Sequence, residues 1–201
     1  ASCKFKSDLC FGLPDVVSYN IYPLWYHDTP PAEYLADLYG WVQTTEGRGK
    51  PFLVTEIGAG GIYGFRAPYQ PKWSEEYQAK ALREQLGAVL FFPQCPGVYI
   101  RQFCDIRVSD EWWGGRPRTM NNKGVFDEYR RPKLCRFAVE EIFSRKKKRA
   151  RRTDMCGGRV EISRFPGHMT TMSFAVNCAF RSAGKLSSVM STSISSICAK
   201  V

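Results

Sequence analysis

Three short apolar runs recur along the first 144 positions, each closed by polar or small residues and each followed by a segment of helical period. Positions 16–22, VVSYNIY, are rich in β-branched and aromatic residues and follow a Gly12-Leu13-Pro14-Asp15 turn, which predicts a strand. A helix is expected over about 31–44: Pro31 suits its first turn, and Leu35, Leu38 and Val42 form one apolar stripe. Gly47 to Pro51 break the chain, and FLVT at 52–55 predicts a second, buried strand. After a loop with Pro68 and Pro71, Ser74 is placed to cap a second helix. Glu75 and Glu76 in its first turn suit the positive end of the dipole, and Tyr77, Ala81, Leu86 and Val89 mark its face. Positions 98–103, VYIRQF, predict a third strand ending near Asp105. A long polar loop spans 107–127, and a last helix begins near Pro132 with Leu134, Phe137, Ala138 and Ile142 on one side.

Strand, helix, strand, helix, strand, helix is a βα repeat and predicts an α/β fold with a mostly parallel sheet. Polar and aromatic residues collect at the strand ends: Asn20 and Tyr22, then Glu56, then Gln102 and Asp105. Ligand sites of α/β folds lie beyond those ends. Three or four strands cannot close a (β/α)8 barrel, which takes about 250 residues. The pattern reads as a partial barrel over 1–144 with something appended over 145–201.

Charge sharpens that division. The net charge of +10 belongs to the tail: residues 1–144 hold 17 basic and 17 acidic residues, whereas 145–201 hold 12 and 2. RKKKRARR at 145–152 has two ready readings, a solvated helix end or a nucleic-acid or nuclear-localisation patch. Neither is favoured over a tail disordered or foreign to the fold, because the apolar period stops after Phe143 and seven serines fall within 182–201. No nucleic-acid partner is therefore expected. No run of 18 apolar residues is present, so no membrane span is expected, and ASCKFKSDLC lacks the apolar stretch of a secretory signal. The chain begins without Met, which suggests a processed, trimmed or incomplete sequence. Eight cysteines without C-x-x-C spacing and only two histidines argue against a metal site. The cysteines read as mostly buried thiols of a cytoplasmic protein.

KPFLVTEIGAGG at 50–61 holds the first candidate chemistry. Glu56 closes an apolar run and precedes small residues. It is either a surface carboxylate or, on a rigid strand end, a nucleophile or base. Gly58, Gly60 and Gly61 would let the backbone turn sharply or approach something closely. Tyr22 could hydrogen-bond Glu56 or serve as a core-rim aromatic. Trp25, Tyr26, Trp112 and Trp113 could pack together or offer platforms for the C–H faces of sugar rings.

DVVSYNIYPLWY (15–26), KPFLVTEIGAGG (50–61), WSEEYQ (73–78), QFCD (102–105) and NNKGVFDEYRRPK (121–133) together resemble successive motifs of glycoside hydrolase family 2, the family of β-galactosidases and β-glucuronidases. The resemblance covers roughly 1–143. It implies the C-terminal half of a catalytic TIM barrel, with strand five near 1–5, six near 16–20, seven at 52–55 and eight at 98–103. It places the family's nucleophile on Glu56, in the T-E-x-G setting. It places the acid/base, from an Asn-Glu pair after strand four, before residue 1. The family's N-x-Y falls on Asn20 and Tyr22, whose tyrosine contacts the nucleophile, and its aromatic pair on Trp25 and Tyr26. At strand eight the usual W-N-F-A-D reads Arg101-Gln102-Phe103-Cys104-Asp105, so a sugar-stacking tryptophan is missing or supplied by Trp112 or Trp113. The N-x-K that glucuronidases use for the sugar carboxylate falls on Asn121 and Lys123. The implied activity is retaining hydrolysis of a terminal β-glucuronide by a homo-oligomeric parent enzyme that requires no cofactor or metal. A β-galactoside substrate and a non-catalytic carbohydrate-binding remnant are the alternatives.

Overall fold

The computed structural model describes residues 1–109 and 116–154. Chain order is β1 (Val17–Asn20), α1 (Pro31–Val42), β2 (Phe52–Ile57), α2 (Glu75–Leu90), β3 (Val98–Ile100), β4 (Ile106–Arg107), β5 (Met120–Asn121) and α3 (Leu134–Asp154). β1, β2 and β3 form a parallel sheet in that order, and β4 pairs with β5 antiparallel. The expected mixed α/β architecture with a parallel sheet is present; no closed barrel forms among the described residues. The first residues contribute one parallel bridge, Ser2 to Tyr19, in place of the strand expected near 1–5.

Period-two burial fixes the sheet. Val17 and Tyr19 are buried while Ser18 and Asn20 are half-buried, and Phe52 and Val54 repeat the pattern on β2. The buried face meets Leu35, Leu38 and Val42 of α1, Leu82, Leu86 and Val89 of α2, and Ala138 and Ile142 of α3 in one core. Each strand is too short to hold a sheet alone, so this shared apolar face supplies its stability.

The strand ends differ from the sequence expectation in ways that build the site. β2 runs through Glu56 to Ile57, and Asn20 pairs opposite Glu56 after a bulge. β3 stops at Ile100, because residues 102–105 spend their backbone groups on a different partner. Gln102 N donates to Lys123 O (3.1 Å), Val125 N to Gln102 O (2.9 Å), Phe126 N to Phe103 O (2.9 Å) and Asp105 N to Phe126 O (3.0 Å). The segment expected as the end of a strand thus fastens the loop around Lys123 to the tip of the sheet.

The helices bring one correction and two features not read from the sequence. Phe137 is exposed, with the Arg136 guanidinium 5.0 Å from its ring, and Cys135 takes the buried place beside Ala138, Val139 and Ile142. Glu75 is not solvated: its Oε1 accepts from Gly64 N (2.8 Å) and its Oε2 from Leu134 N (2.5 Å), the first residue of α3, with Arg66 alongside at 3.3 Å. It supplies an acceptor that the start of α3 cannot find in its own helix. α3 runs through position 145 to Asp154, so the boundary expected between 144 and 145 falls inside a helix. Lys146 Nζ donates to Leu90 O, one of the carbonyls left open at the end of α2. The remainder of the expected tail, 155–201, lies outside the described residues. Of the described cysteines, Cys95 and Cys135 are buried as expected, but Cys3 and Cys10 are exposed.

Candidate active site

Parallel pairing of β1 with β2 sets Tyr22, just past the end of β1, beside Glu56. Tyr22 donates its phenolic hydrogen to Glu56 Oε2 at 2.5 Å. The other oxygen, Oε1, lies 3.4 Å from Arg101 Nη1, at the end of β3. Burial, reinforced by the bond to Glu56, drives the Tyr22 pKa far above the usual tyrosine value, which keeps the phenol a donor. Asn20 Oδ1 accepts from Thr55 Oγ1 (2.8 Å), tying the residues that precede Tyr22 and Glu56. One carboxylate is thus held by donors from the two neighbouring strands.

Gly58, Gly60 and Gly61 act by close approach rather than by left-handed turns; among the described residues the glycines with positive φ are Gly49 and Gly64. A Cβ on Gly58 would lie 2.4 Å from Arg101 O, and one on Gly61 would lie 2.4 Å from Gln78 Oε1. The backbone beyond β2 therefore runs against β3 on one side and α2 on the other.

Lys123 is the second centre. It is 2% exposed, and its Nζ sits 5.3, 5.1 and 5.0 Å from the ring centres of Tyr22, Trp25 and Tyr26. It donates to Tyr26 Oη at 3.1 Å, and Arg116 Nη2 donates to the same oxygen at 3.3 Å. Two cations converge on one neutral hydroxyl, and among the described residues no carboxylate lies within ion-pair distance of Lys123. Burial lowers its pKa to about 7, Arg116 and Arg101 push the same way, and Glu56 opposes them. Among the described residues, an ammonium in this setting lacks an anion.

This depression has a thermodynamic sign. The unfolded chain holds the lysine proton more tightly than the fold does, so the penalty is full below pH 7 and fades as pH rises from about 7 towards the ordinary 10.5. Lys123→Met, which keeps an unbranched chain and removes the charge, should therefore stabilise the fold at pH 6 by about 2 kcal/mol. The gain should shrink by pH 10. Thermal midpoints of both proteins across that range check it; a gain independent of pH would mean that the lysine is not desolvated.

The other candidates are distributed as follows. Trp25 is buried, edge-on to Trp73 at 4.9 Å, and Tyr26 is exposed. Asn121 is buried, and its Oδ1 accepts from Lys123 N (3.3 Å), fixing the turn of its own loop. Asp105 is kept from solvent beneath that loop. Its Oδ1 accepts from Lys133 Nζ (2.7 Å) and Gly124 N (2.8 Å), and its Oδ2 from Asn122 Nδ2 (3.3 Å). Trp112 and Trp113 lie outside the described residues. Four participants were not singled out from sequence. Arg116 and Lys133 look like ordinary loop cations, while Gln78 and Gln85 stand seven apart on an otherwise apolar helix face, a spacing that could have flagged them. No group of His, Cys, Asp and Glu suited to a metal ion occurs among the described residues.

No protein-family model matches the chain. A curated β-glucuronidase of Canis lupus familiaris is 31% identical over 148 residues, which cover 70% of this chain and 22% of that protein. Among solved structures, a GH2 β-galacturonidase from Eisenbergiella tayi, bound to glycerol, is 63% identical with a TM-score of 0.70; the match covers 72% of this chain and 26% of that one. A β-glucuronidase from an uncultured Clostridium sp. is 31% identical with a TM-score of 0.56, over 68% of this chain and 23% of that one. The chain thus spans roughly a quarter or less of the length of these relatives.

Proposed function

Since the chain belongs to glycoside hydrolase family 2, we propose that it is part of a larger (β/α)8 catalytic barrel, contributing strands six to eight, a single bridge where strand five would run, and the nucleophile side of the site. The complete enzyme hydrolyses terminal β-glucuronides with retention of configuration. The observation that carries this reading is Lys123: a buried ammonium caged by three rings, next to the Glu56–Tyr22 pair, suits a sugar that brings its own carboxylate. Galactose offers only a neutral hydroxymethyl group there.

A retaining enzyme needs two carboxyl groups about 5–5.5 Å apart. Glu56 attacks the anomeric carbon as the glycosidic C–O bond breaks. The second carboxyl group, which the family pattern puts before residue 1, protonates the departing oxygen and then takes a proton from the water that cleaves the glycosyl ester. Tyr22 steers one oxygen of Glu56. Arg101, standing where the family pattern has tryptophan, faces the other oxygen and adds positive charge where an anionic sugar binds.

A second reading is favoured by one observation, the 63% identity to a β-galacturonidase. Galacturonate differs from glucuronate only in configuration at C4, so both present the same carboxylate to Lys123. Steady-state kinetics of the full-length enzyme on 4-nitrophenyl β-glucuronide, β-galacturonide and β-galactoside separate the readings. At least one uronide should exceed the galactoside in kcat/KM by about 10²-fold or more. Whichever uronide leads fixes the C4 preference, and a leading galactoside would defeat both readings.

A further inference from the structure

Two glutamines of α2 take no part in the chemistry just described, yet they touch the loops of Tyr22, Glu56 and Lys123. Gln78 is fully buried and Gln85 is 1% exposed. Gln78 Nε2 donates to Ala59 O and to Gly124 O, both at 3.0 Å, with Asn122 O at 3.4 Å. Ala59 follows Glu56 by three residues, while Asn122 and Gly124 flank Lys123. Gln85 Nε2 donates to Pro23 O (2.6 Å) and Gly58 O (3.2 Å). Pro23 follows Tyr22 directly, and Gly58 follows Glu56 by two residues. Each amide nitrogen therefore joins two different loops.

The oxygens of the same two amides tell against a packing role. Gln78 Oε1 and Gln85 Oε1 have no hydrogen-bond partner among the described residues. Turning either amide over would aim oxygen at carbonyl oxygens, so the acceptors dictate the orientation. A leucine or methionine would fill the same volume and remove these unmatched amide oxygens, but it would leave the carbonyls of Ala59, Gly124, Pro23 and Gly58 without these donors. A buried amide that leaves its own oxygen unpaired while its nitrogen bridges carbonyls of two loops fits a role in setting how those loops sit, beyond filling the core.

We propose that Gln78 and Gln85 are positioning residues with separable tasks. Gln78 sets the distance between the Lys123 loop and the nucleophile loop, and so governs how the sugar carboxylate is seated. Gln85 holds the turn after Tyr22 against the nucleophile loop, and so governs the aim of Glu56. The assignment rests on the hexuronide reading above.

The test uses Gln78→Met and Gln85→Met in the full-length enzyme, because methionine preserves volume and removes the donors. On the better 4-nitrophenyl β-hexuronide, Gln78→Met should raise KM by about 10-fold while kcat changes much less. Gln85→Met should lower kcat by about 10-fold with little change in KM. A purely structural role would lower both thermal midpoints without dividing the kinetic constants in this way. Equal effects of the two variants on kcat and KM, or wild-type kinetics for both, overturn the proposal. Backbone amide exchange keeps this separate from the substrate question. Gln78→Met should speed exchange at Gly61 N, which donates to Asn122 O, more than at Ile21 N, which donates to Glu56 O; Gln85→Met should do the reverse. If the enzyme cleaves no hexuronide, the functional reading fails and the exchange pattern alone decides the clamp; unchanged exchange in both loops sinks it.

Discussion

Glu56→Gln in the full-length enzyme should lower kcat on an aryl β-hexuronide by at least about 10⁴-fold, the scale of losing a nucleophile. Glutamine preserves the shape of the side chain and can still accept from Tyr22, whose hydroxyl lies 2.5 Å from Oε2. What disappears is the anionic oxygen that must bond to the anomeric carbon. The contact with Arg101 at 3.4 Å is partly open to solvent and contributes little to folding, so the variant should unfold at nearly the wild-type temperature. That combination, lost chemistry with retained stability, distinguishes a nucleophile from a structural carboxylate. Activity is measured under saturating substrate, with the thermal midpoint recorded on the same preparation. Residual turnover within a factor of ten of wild type would require another group to attack and would remove Glu56 from the mechanism.

Much of this arrangement could be read from sequence because it depends on local period. VVSYNIY and FLVT are short runs rich in β-branched, aromatic and aliphatic residues, Leu35, Leu38 and Val42 recur at helical spacing, and a carboxylate closing an apolar run is conspicuous. Long-range partners decide the rest. β3 ends early because residues 102–105 pair with 123–126, a choice invisible in the run VYIRQF itself. Phe137 reads as core by spacing, yet α3 is rotated so that Cys135 and Val139 face inward. Glu75 reads from sequence only as a first-turn acid, because the amide it serves, at the start of α3, lies 59 residues further along the chain. Asp105 is conspicuous in sequence by its place at a strand end, but its partner Lys133 lies 28 residues away and is not visible there. The N-x-K text points to Lys123. Its burial and its aromatic cage depend on three loops meeting.

The same burial that makes Lys123 costly to the fold makes it selective. Lys123→Ala should reduce kcat/KM on an aryl β-hexuronide by about 10²-fold, corresponding to the roughly 2–5 kcal/mol lost when one partner of a buried charge pair is removed. An exposed pair would give at most about 1 kcal/mol, a fivefold change, so the size of the loss reports where the carboxylate sits. At 2% exposure, inside the rings of Tyr22, Trp25 and Tyr26, the ammonium has few waters to compete with the ligand. A bound carboxylate would favour its protonated form, against the burial and the neighbouring arginines that lower its pKa to about 7 in the free site. The loss should therefore be largest below pH 7, where the free lysine is already charged, and smaller towards pH 9, where binding must first recruit a proton. An aryl β-galactoside gains nothing from the charge, so its slower turnover should change by less than about threefold. Measuring both substrates at pH 6 and pH 9 in wild type and variant gives four ratios. Equal losses on the two sugars would show that Lys123 supports the loop without reading the carboxylate, and a loss confined to the uronide would assign the anion to Lys123.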